Sequence, residues 1–195
     1  MYRVNEIFYS IQGEGAHAGT PAVFIRFSGC NLSCPFCDTE FGRYKEMTAK
    51  DIANEVQRIG GDSKLVVITG GEPTLQYDDV LAKELQRIKR YIAMETNGTK
   101  QIRAEVDWVT ISPKQSFVGE VGIPHLKYCN EVKVVYDGEH EPETFGIVAK
   151  YYFIQPCDTG DSEKNKAIIE ACVNFIKANP KWRLSLQTQK IINVR

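Results

Sequence analysis

The sequence predicts an α/β fold: an open, partial TIM-like barrel of about six parallel strands and three main helices, in a single domain spanning 1–195. Three observations predict it. Short runs rich in Val, Ile and aromatic residues are almost continuously apolar, the pattern of strands buried on both faces of a parallel sheet. Stretches with apolar residues at helical spacing alternate with these runs or follow them. Polar or glycine-rich segments come directly after several strands, and ligands of parallel α/β sheets gather at the carboxyl ends of strands. Only some crossovers carry a full helix, so a complete eightfold barrel does not fit.

The elements follow in order. The N-terminal run Ile7-Phe8-Tyr9-Ser10-Ile11 is apolar and β-prone until Gln12-Gly13-Glu14-Gly15 interrupts it. The first buried strand is expected at 23–27, ahead of the breaker Ser28-Gly29. Thr48 followed by Asp51 resembles a helix cap, and Ile52, Val56 and Ile59 continue at helical spacing until Gly60-Gly61. The β-branched run 64–69 reads as a strand ending at Gly70-Gly71-Glu72-Pro73. Leu81, Leu85 and Ile88 mark a second helix, and further strands are expected at 91–95, 108–111, 131–135 and 151–154. A long helix then places Ile168, Cys172, Phe175 and Ile176 on one face, with Pro180 just beyond.

Composition narrows the class of function. With 195 residues, 43% of them hydrophobic, the chain can bury a sizeable core. Lys+Arg 24 against Asp+Glu 25, interspersed, gives a net charge of −1 and no global nucleic-acid footprint, so no nucleic-acid partner is expected. The first residues lack the apolar run of a signal peptide and no stretch is long enough to span a bilayer. A cytoplasmic protein without membrane association is the expectation. Six cysteines in that setting argue for reduced thiols. Cys172 reads as a core residue, and Cys129 and Cys157 lack partners at ligand spacing. His17, His125 and His140 show no ligand spacing either.

The remaining cysteines, Cys30, Cys34 and Cys37, cluster in the loop after the first buried strand. A structural zinc site closes with four protein ligands, and most iron–sulfur clusters also take four cysteines. Three thiols with no fourth nearby leave three readings: packing, a zinc module borrowing a ligand from elsewhere, or a cluster with one open iron. The other strand-end segments are Gly70-Gly71-Glu72-Pro73, Thr96-Asn97-Gly98, Ser112-Pro113-Lys114 and Gln155-Pro156-Cys157-Asp158. One shared site on one rim is the economical reading of all five.

The spacing Cys-x-x-x-Cys-x-x-Cys, with Phe36 before the last cysteine, resembles the radical S-adenosylmethionine superfamily. That resemblance implies a [4Fe–4S] cluster on Cys30, Cys34 and Cys37, its open iron chelated by the amino and carboxylate groups of S-adenosylmethionine. Gly70-Gly71-Glu72-Pro73 is similar to the superfamily's second motif. The implied S-adenosylmethionine contacts are Phe36, Cys37, Asp38, Gly71, Glu72, Thr96, Asn97, Ser112, Pro113 and Lys114, with Gln155, Pro156, Cys157 and Asp158 on the same rim.

The run from Phe8 through Gly15, then 24–32, Cys37-Asp38-Thr39, Thr69 with the Gly-Gly-Glu-Pro motif, and Leu186-Gln187-Thr188-Gln189-Lys190 together resemble the 7-carboxy-7-deazaguanine synthase family. The resemblance covers most of the chain and implies a radical lyase that converts 6-carboxy-5,6,7,8-tetrahydropterin with loss of ammonia, in queuosine biosynthesis. It further implies substrate contacts at Gln12, Gly13, Glu14, Arg26, Thr69, Gln187 and Arg195, and Mg²⁺ on Thr39. An electron donor such as flavodoxin or ferredoxin, and a homodimer, are also implied. Gln12 and Gly13 suit amide-like ring positions, Glu14 a guanidine-like edge, and Arg26 a carboxylate in a bidentate fork. Gln189 stands where the family often has histidine. A glycyl-radical activating enzyme is the alternative within the superfamily, but it has no need of Gln12, Glu14, Arg26 or the Gln187-Thr188 tail.

Overall fold

A computed structural model of the chain describes residues 1–37, 40 and 42–195. In chain order the strands are β1 (Tyr2–Ile11), β2 (Pro21–Phe27), β3 (Lys45–Met47), β4 (Leu65–Gly70), β5 (Tyr91–Thr96), β6 (Trp108–Ile111), β7 (Tyr128–Tyr136), β8 (Val148–Pro156) and β9 (Trp182–Leu184). The α-helices are α1 (Ala49–Gly60), α2 (Asp79–Arg87), α3 (Gln115–Val118), α4 (Ser162–Ala178) and α5 (Thr188–Ile191).

Among the described residues the nine strands form one sheet in the order β3-β1-β2-β4-β5-β6-β7-β8-β9. The expected parallel core is β2 and β4 to β8, each pairing in parallel with its neighbour. With β3 and β9 at its edges the sheet stays open, a partial barrel. The expected long helices are α1, α2 and α4. Three strands go beyond the expectation. β1 starts at Tyr2, ahead of the apolar run, because Tyr2 and Val4 alternate with Arg3 and Asn5 and are the buried pair. It runs antiparallel to β2 and β3, with a register shift between Val4 and Glu6. β3 and β9 have three residues each, too few for a period to show.

Strand parity divides the side chains between the helices and the opposite face. In β2, β4 and β5, Val23, Ile25, Phe27, Val66, Ile68, Ile92 and Met94 point to α1 and α2 and form the larger apolar core with Val56, Leu81 and Leu85. A second core packs Val132, Val134 and Ile154 against Ile168 and Cys172 of α4. The intervening positions face the other way, because successive side chains of a strand point to opposite faces. Deep inside that face is a small apolar floor of Ala22, Leu65, Val67 and Ala93, flanked by Phe24 and Trp108. One step nearer the carboxyl ends, the same parity carries Arg26, Thr69, Glu95, Lys133 and Gln155, with Arg26 paired in register to Thr69.

The helices are fixed locally. Thr48 accepts from the Asp51 N–H at 3.1 Å, and Asp51 accepts from the Thr48 N–H at 3.0 Å, a reciprocal capping box that starts α1. Asp78 caps α2 by accepting from the N–H groups of Val80 and Leu81. Among the described residues no helix is long and apolar enough to cross a membrane.

Candidate functional site

A cavity of about 320 Å³ opens at the carboxyl ends of the parallel strands. Its wall has two distinct ends.

At one end lie Cys30, Cys34 and Cys37, together with Phe36. Their loop is seated on the backbone of β4's exit. The Gly71 N–H donates to Phe27 O at 3.1 Å and the Glu72 N–H to Gly29 O at 2.9 Å. A side chain at Gly71 would put Cβ 1.9 Å from the Gly29 carbonyl oxygen, and Gly70, at φ +124°, faces Phe27 O in the same way. These glycines are therefore required by the loop itself, whatever ligand the cavity takes. Asn31 ties the loop to the segment after β5: it accepts from Asn97 at 3.1 Å and donates to Thr99 at 2.8 Å. Phe36 packs edge-on against Phe117 with centroids 4.6 Å apart, and the Lys114 ammonium sits 5.8 Å from its ring centre.

Lys114 donates to Ser112 Oγ at 2.5 Å and to Ser112 O at 3.0 Å. Burial pushes its pKa down to about 8, with Cys34 pulling the other way and Lys133 adding to the fall. Burial also raises the Cys30 and Cys34 thiols, the latter opposed by Lys114. Among the described residues none of the three loop cysteines is in a disulfide. Soft thiolates of this number suit an iron–sulfur cluster with one open iron, so the donor set fits the group. Among the described residues no three His, Cys, Asp or Glu side chains, the three loop cysteines included, are gathered closely enough to hold a metal ion.

The other end is ionic. Lys133, from the cavity-facing parity of β7, donates to Glu14 Oε2 at 2.5 Å and to Glu95 Oε2 at 2.9 Å. Glu95 Oε1 accepts from Gln12 Nε2 at 3.3 Å. Glu14 Oε1 accepts from Gln187 Nε2 at 3.0 Å and Gln189 Nε2 at 3.2 Å. Burial opposes the Glu14 charge, but Lys133 and the two amide donors outweigh it and hold the pKa down to about 2. Burial likewise opposes the Lys133 charge, and Glu14 and Glu95 more than offset it, raising Lys133 above the ordinary lysine range. Gly13 lets the tail approach: a Cβ there would lie 1.7 Å from Gln189 Oε1, and the Gly13 carbonyl accepts from the Thr188 N–H at 3.2 Å.

Beside this end, Arg26 donates to Glu6 Oε1 at 2.9 Å and lies 5.9 Å from the Phe8 ring centre. Arg195 pairs with the other oxygen of Glu6 and also covers Phe8, while its backbone carbonyl accepts from Ser10 Oγ.

Most expected site residues reach this one cavity: Gln12, Gly13, Glu14, Arg26, Thr69, Gln187 and Arg195, and on the rim Thr96, Asn97, Ser112, Gln155, Pro156, Cys157 and Asp158. Two do not line it. Glu72 is fully buried behind the wall, where Oε1 accepts from Thr74 N–H, Thr74 Oγ1 and Thr96 Oγ1 and Oε2 from the Asn97 N–H. Pro113 is buried and does not line the cavity, although its neighbours Ser112 and Lys114 do. The expected sites at Asp38 and Thr39 lie outside the described residues. Sequence reading missed Glu95 and Lys133 as parts of the wall; Gln189, marked in the sequence only as standing where the family often has histidine, also lines it. The signal for Lys133 was present: Glu131 and Lys133 alternate with Val132 and Val134, so both charges share one face.

Known proteins resemble the chain along its whole length. The Radical SAM superfamily profile matches residues 24–116. A Bacteroides thetaiotaomicron protein named 7-carboxy-7-deazaguanine synthase is 47% identical, with 100% of both chains aligned. A Haemophilus influenzae protein of the same name is 36% identical over 99% of this chain and 94% of its own. The crystal structure of QueE from Escherichia coli superposes with a TM-score of 0.76 at 28% identity, covering 96% of this chain and 94% of that one. Identity at this level over full length carries the family as well as the fold, and the chain belongs to the 7-carboxy-7-deazaguanine synthase family within the radical S-adenosylmethionine superfamily.

Proposed function

We propose that the chain is a radical S-adenosylmethionine carbon–nitrogen lyase. It converts 6-carboxy-5,6,7,8-tetrahydropterin to 7-carboxy-7-deazaguanine with loss of ammonia, within queuosine and other 7-deazapurine biosynthesis. The observation that carries this reading is the sharing of one cavity by the cysteine loop and by the Gln12, Glu14 and Arg26 groups.

Cys30, Cys34 and Cys37 would hold the [4Fe–4S] cluster, with Ser112, Lys114 and Asn97 toward S-adenosylmethionine. When bound, that pair supplies abstraction of a hydrogen atom from the substrate by a carbon radical. The chain's own part is binding, orientation and exclusion of competing reactions. Glu14, ionised throughout the neutral range, accepts from the guanidine-like edge of the pterin. Gln12 and the Gly13 backbone read the amide-like positions, Thr69 contacts the ring, and Gln187 keeps Glu14 aimed. Arg26, now on Glu6, can fork onto the substrate carboxylate, with Arg195 as a second cation nearby.

Finer features belong to the same reading. Mg²⁺ bound through Thr39 would meet the substrate, consistent with magnesium's habit of taking few protein ligands. A cytoplasmic homodimer reduced by a flavodoxin or ferredoxin completes it. Anaerobic turnover with S-adenosylmethionine, Mg²⁺ and the carboxypterin, followed by product identification, tests the proposal. A competent cluster giving no deazaguanine product would reject it. Thr39→Ala should weaken the response to Mg²⁺ and leave iron content intact; an unchanged Mg²⁺ titration removes Thr39 from the site.

A further inference from the structure

We propose that Lys133 is the positioning residue of the substrate end: its buried ammonium keeps Glu14 and Glu95 side by side and ionised, so that the pair can accept from the N–H groups of one ring edge. This inference rests on the function proposed above and adds to it a residue that no motif marks.

Three side chains from three separate elements meet at one buried point: Glu14 from the turn after β1, Glu95 from β5 and Lys133 from β7. The ammonium is 2.5 Å from one carboxylate and 2.9 Å from the other. Two carboxylates brought together in a low-dielectric pocket do not both stay ionised unless a cation lies between them. A protonated carboxyl loses one acceptor and gains a donor, which is the wrong pattern for a guanidine-like edge. Next to Glu14, Gln189 Oε1 is buried with no hydrogen-bond partner among the described residues.

A neighbouring carboxylate shows what happens without such a contact. Glu131 lies on the same strand face as Lys133, and its direct partner is the backbone N–H of Ala16 at 2.9 Å. Burial and repulsion from Glu95 push it up to about 7, with Lys133 only partly offsetting them. The other groups facing the cluster are Lys114, from the segment after β6, and His17, from the β1–β2 connection. Lys114 feels Lys133, Glu95 and Glu14; the His17 pKa is lowered by burial and drawn back up by Glu95. Lys114 is held by Ser112 and not by either carboxylate, so it does not replace Lys133.

The test is anaerobic steady-state kinetics of the reconstituted holoenzyme with the carboxypterin from about pH 6 to about pH 9, where kcat/KM reports groups of the free enzyme. Wild-type turnover shows that the proposed function stands; its absence rejects that function, irrespective of Lys133. Given turnover, the wild-type KM sets the reference profile across this range, in which Glu131 and Lys114 also titrate. Lys133→Met should raise KM at least about tenfold near neutrality, with kcat within about threefold, and its kcat/KM should climb with pH as the carboxylates ionise. Iron content should not change. Lys133→Arg, which keeps the cation and reports even if the methionine variant fails to fold, should retain the wild-type profile. A Lys133→Met enzyme with the wild-type KM and the wild-type pH profile overturns the proposal, as does a Lys133→Arg enzyme that acquires the added pH slope.

Discussion

At the cysteine end of the cavity, the residues come from stretches contiguous in the sequence and are held by backbone. At the Glu14–Lys133 end they come from the turn after β1, from β5, from β7 and from the tail, and are held by charge. The first end depends on shape: Gly71 packs under Gly29 with no room for a methyl group, and Asn31 bridges to Asn97 and Thr99. The second depends on charge, because it is two ion pairs that share the one Lys133 ammonium. Shape should therefore fail by substitution whatever the pH, and the ionic end by change of charge.

The largest expected break is at the cysteine end. Cys34→Ala should abolish turnover and the iron–sulfur absorbance while the melting temperature of the cluster-free protein stays near wild type; a variant that keeps both iron and activity would remove Cys34 from the cluster. Gly71→Ala comes next. Its Cβ must displace the cysteine loop, at a cost of about 3 kcal/mol in urea unfolding, equal at acid and alkaline pH.

The opposite signature is expected of Glu131. Its folded pKa is raised from 4.5 to about 7. Its stabilisation is therefore full below about 4.3, the unfolded value, and is lost as pH rises through the folded one. Glu131→Gln should accordingly stabilise the protein by about 3 kcal/mol at alkaline pH and by nearly nothing below about pH 4. Paired unfolding curves at the two pH values would show whether charge governs this end. The smallest effect serves as the reference away from both ends: Thr48→Ala removes the α1 capping box for about 1 kcal/mol with kcat and KM unchanged.

The same contrast explains what could be read in the sequence. Cys30, Cys34 and Cys37 lie within one loop, and Gly70-Gly71-Glu72-Pro73 comes directly after its strand, so local spacing was enough. The parallel strands and α1, α2 and α4 were legible because their periods run long enough to count. Glu95 was not, and for Lys133 the alternation in 131–134 shows only that it shares a face with Glu131; the register of the whole sheet is needed to say that this face is the cavity's. Glu72 differed for another reason: the motif marks the residue, but only the fold shows its carboxylate closed behind the wall by Thr74, Thr96 and Asn97. β3 and β9 were too short to leave a pattern.

One measurement addresses the two-ended cavity most directly: an anaerobic crystal structure of the reconstituted chain with S-adenosylmethionine and the carboxypterin. The account predicts the cluster on Cys30, Cys34 and Cys37 and the guanidine-like edge on Glu14 and Glu95, with Lys133 still between them and the pterin carboxylate on Arg26. A pterin bound away from Glu14 and Arg26, or a Lys133 ammonium withdrawn from both carboxylates, would contradict it.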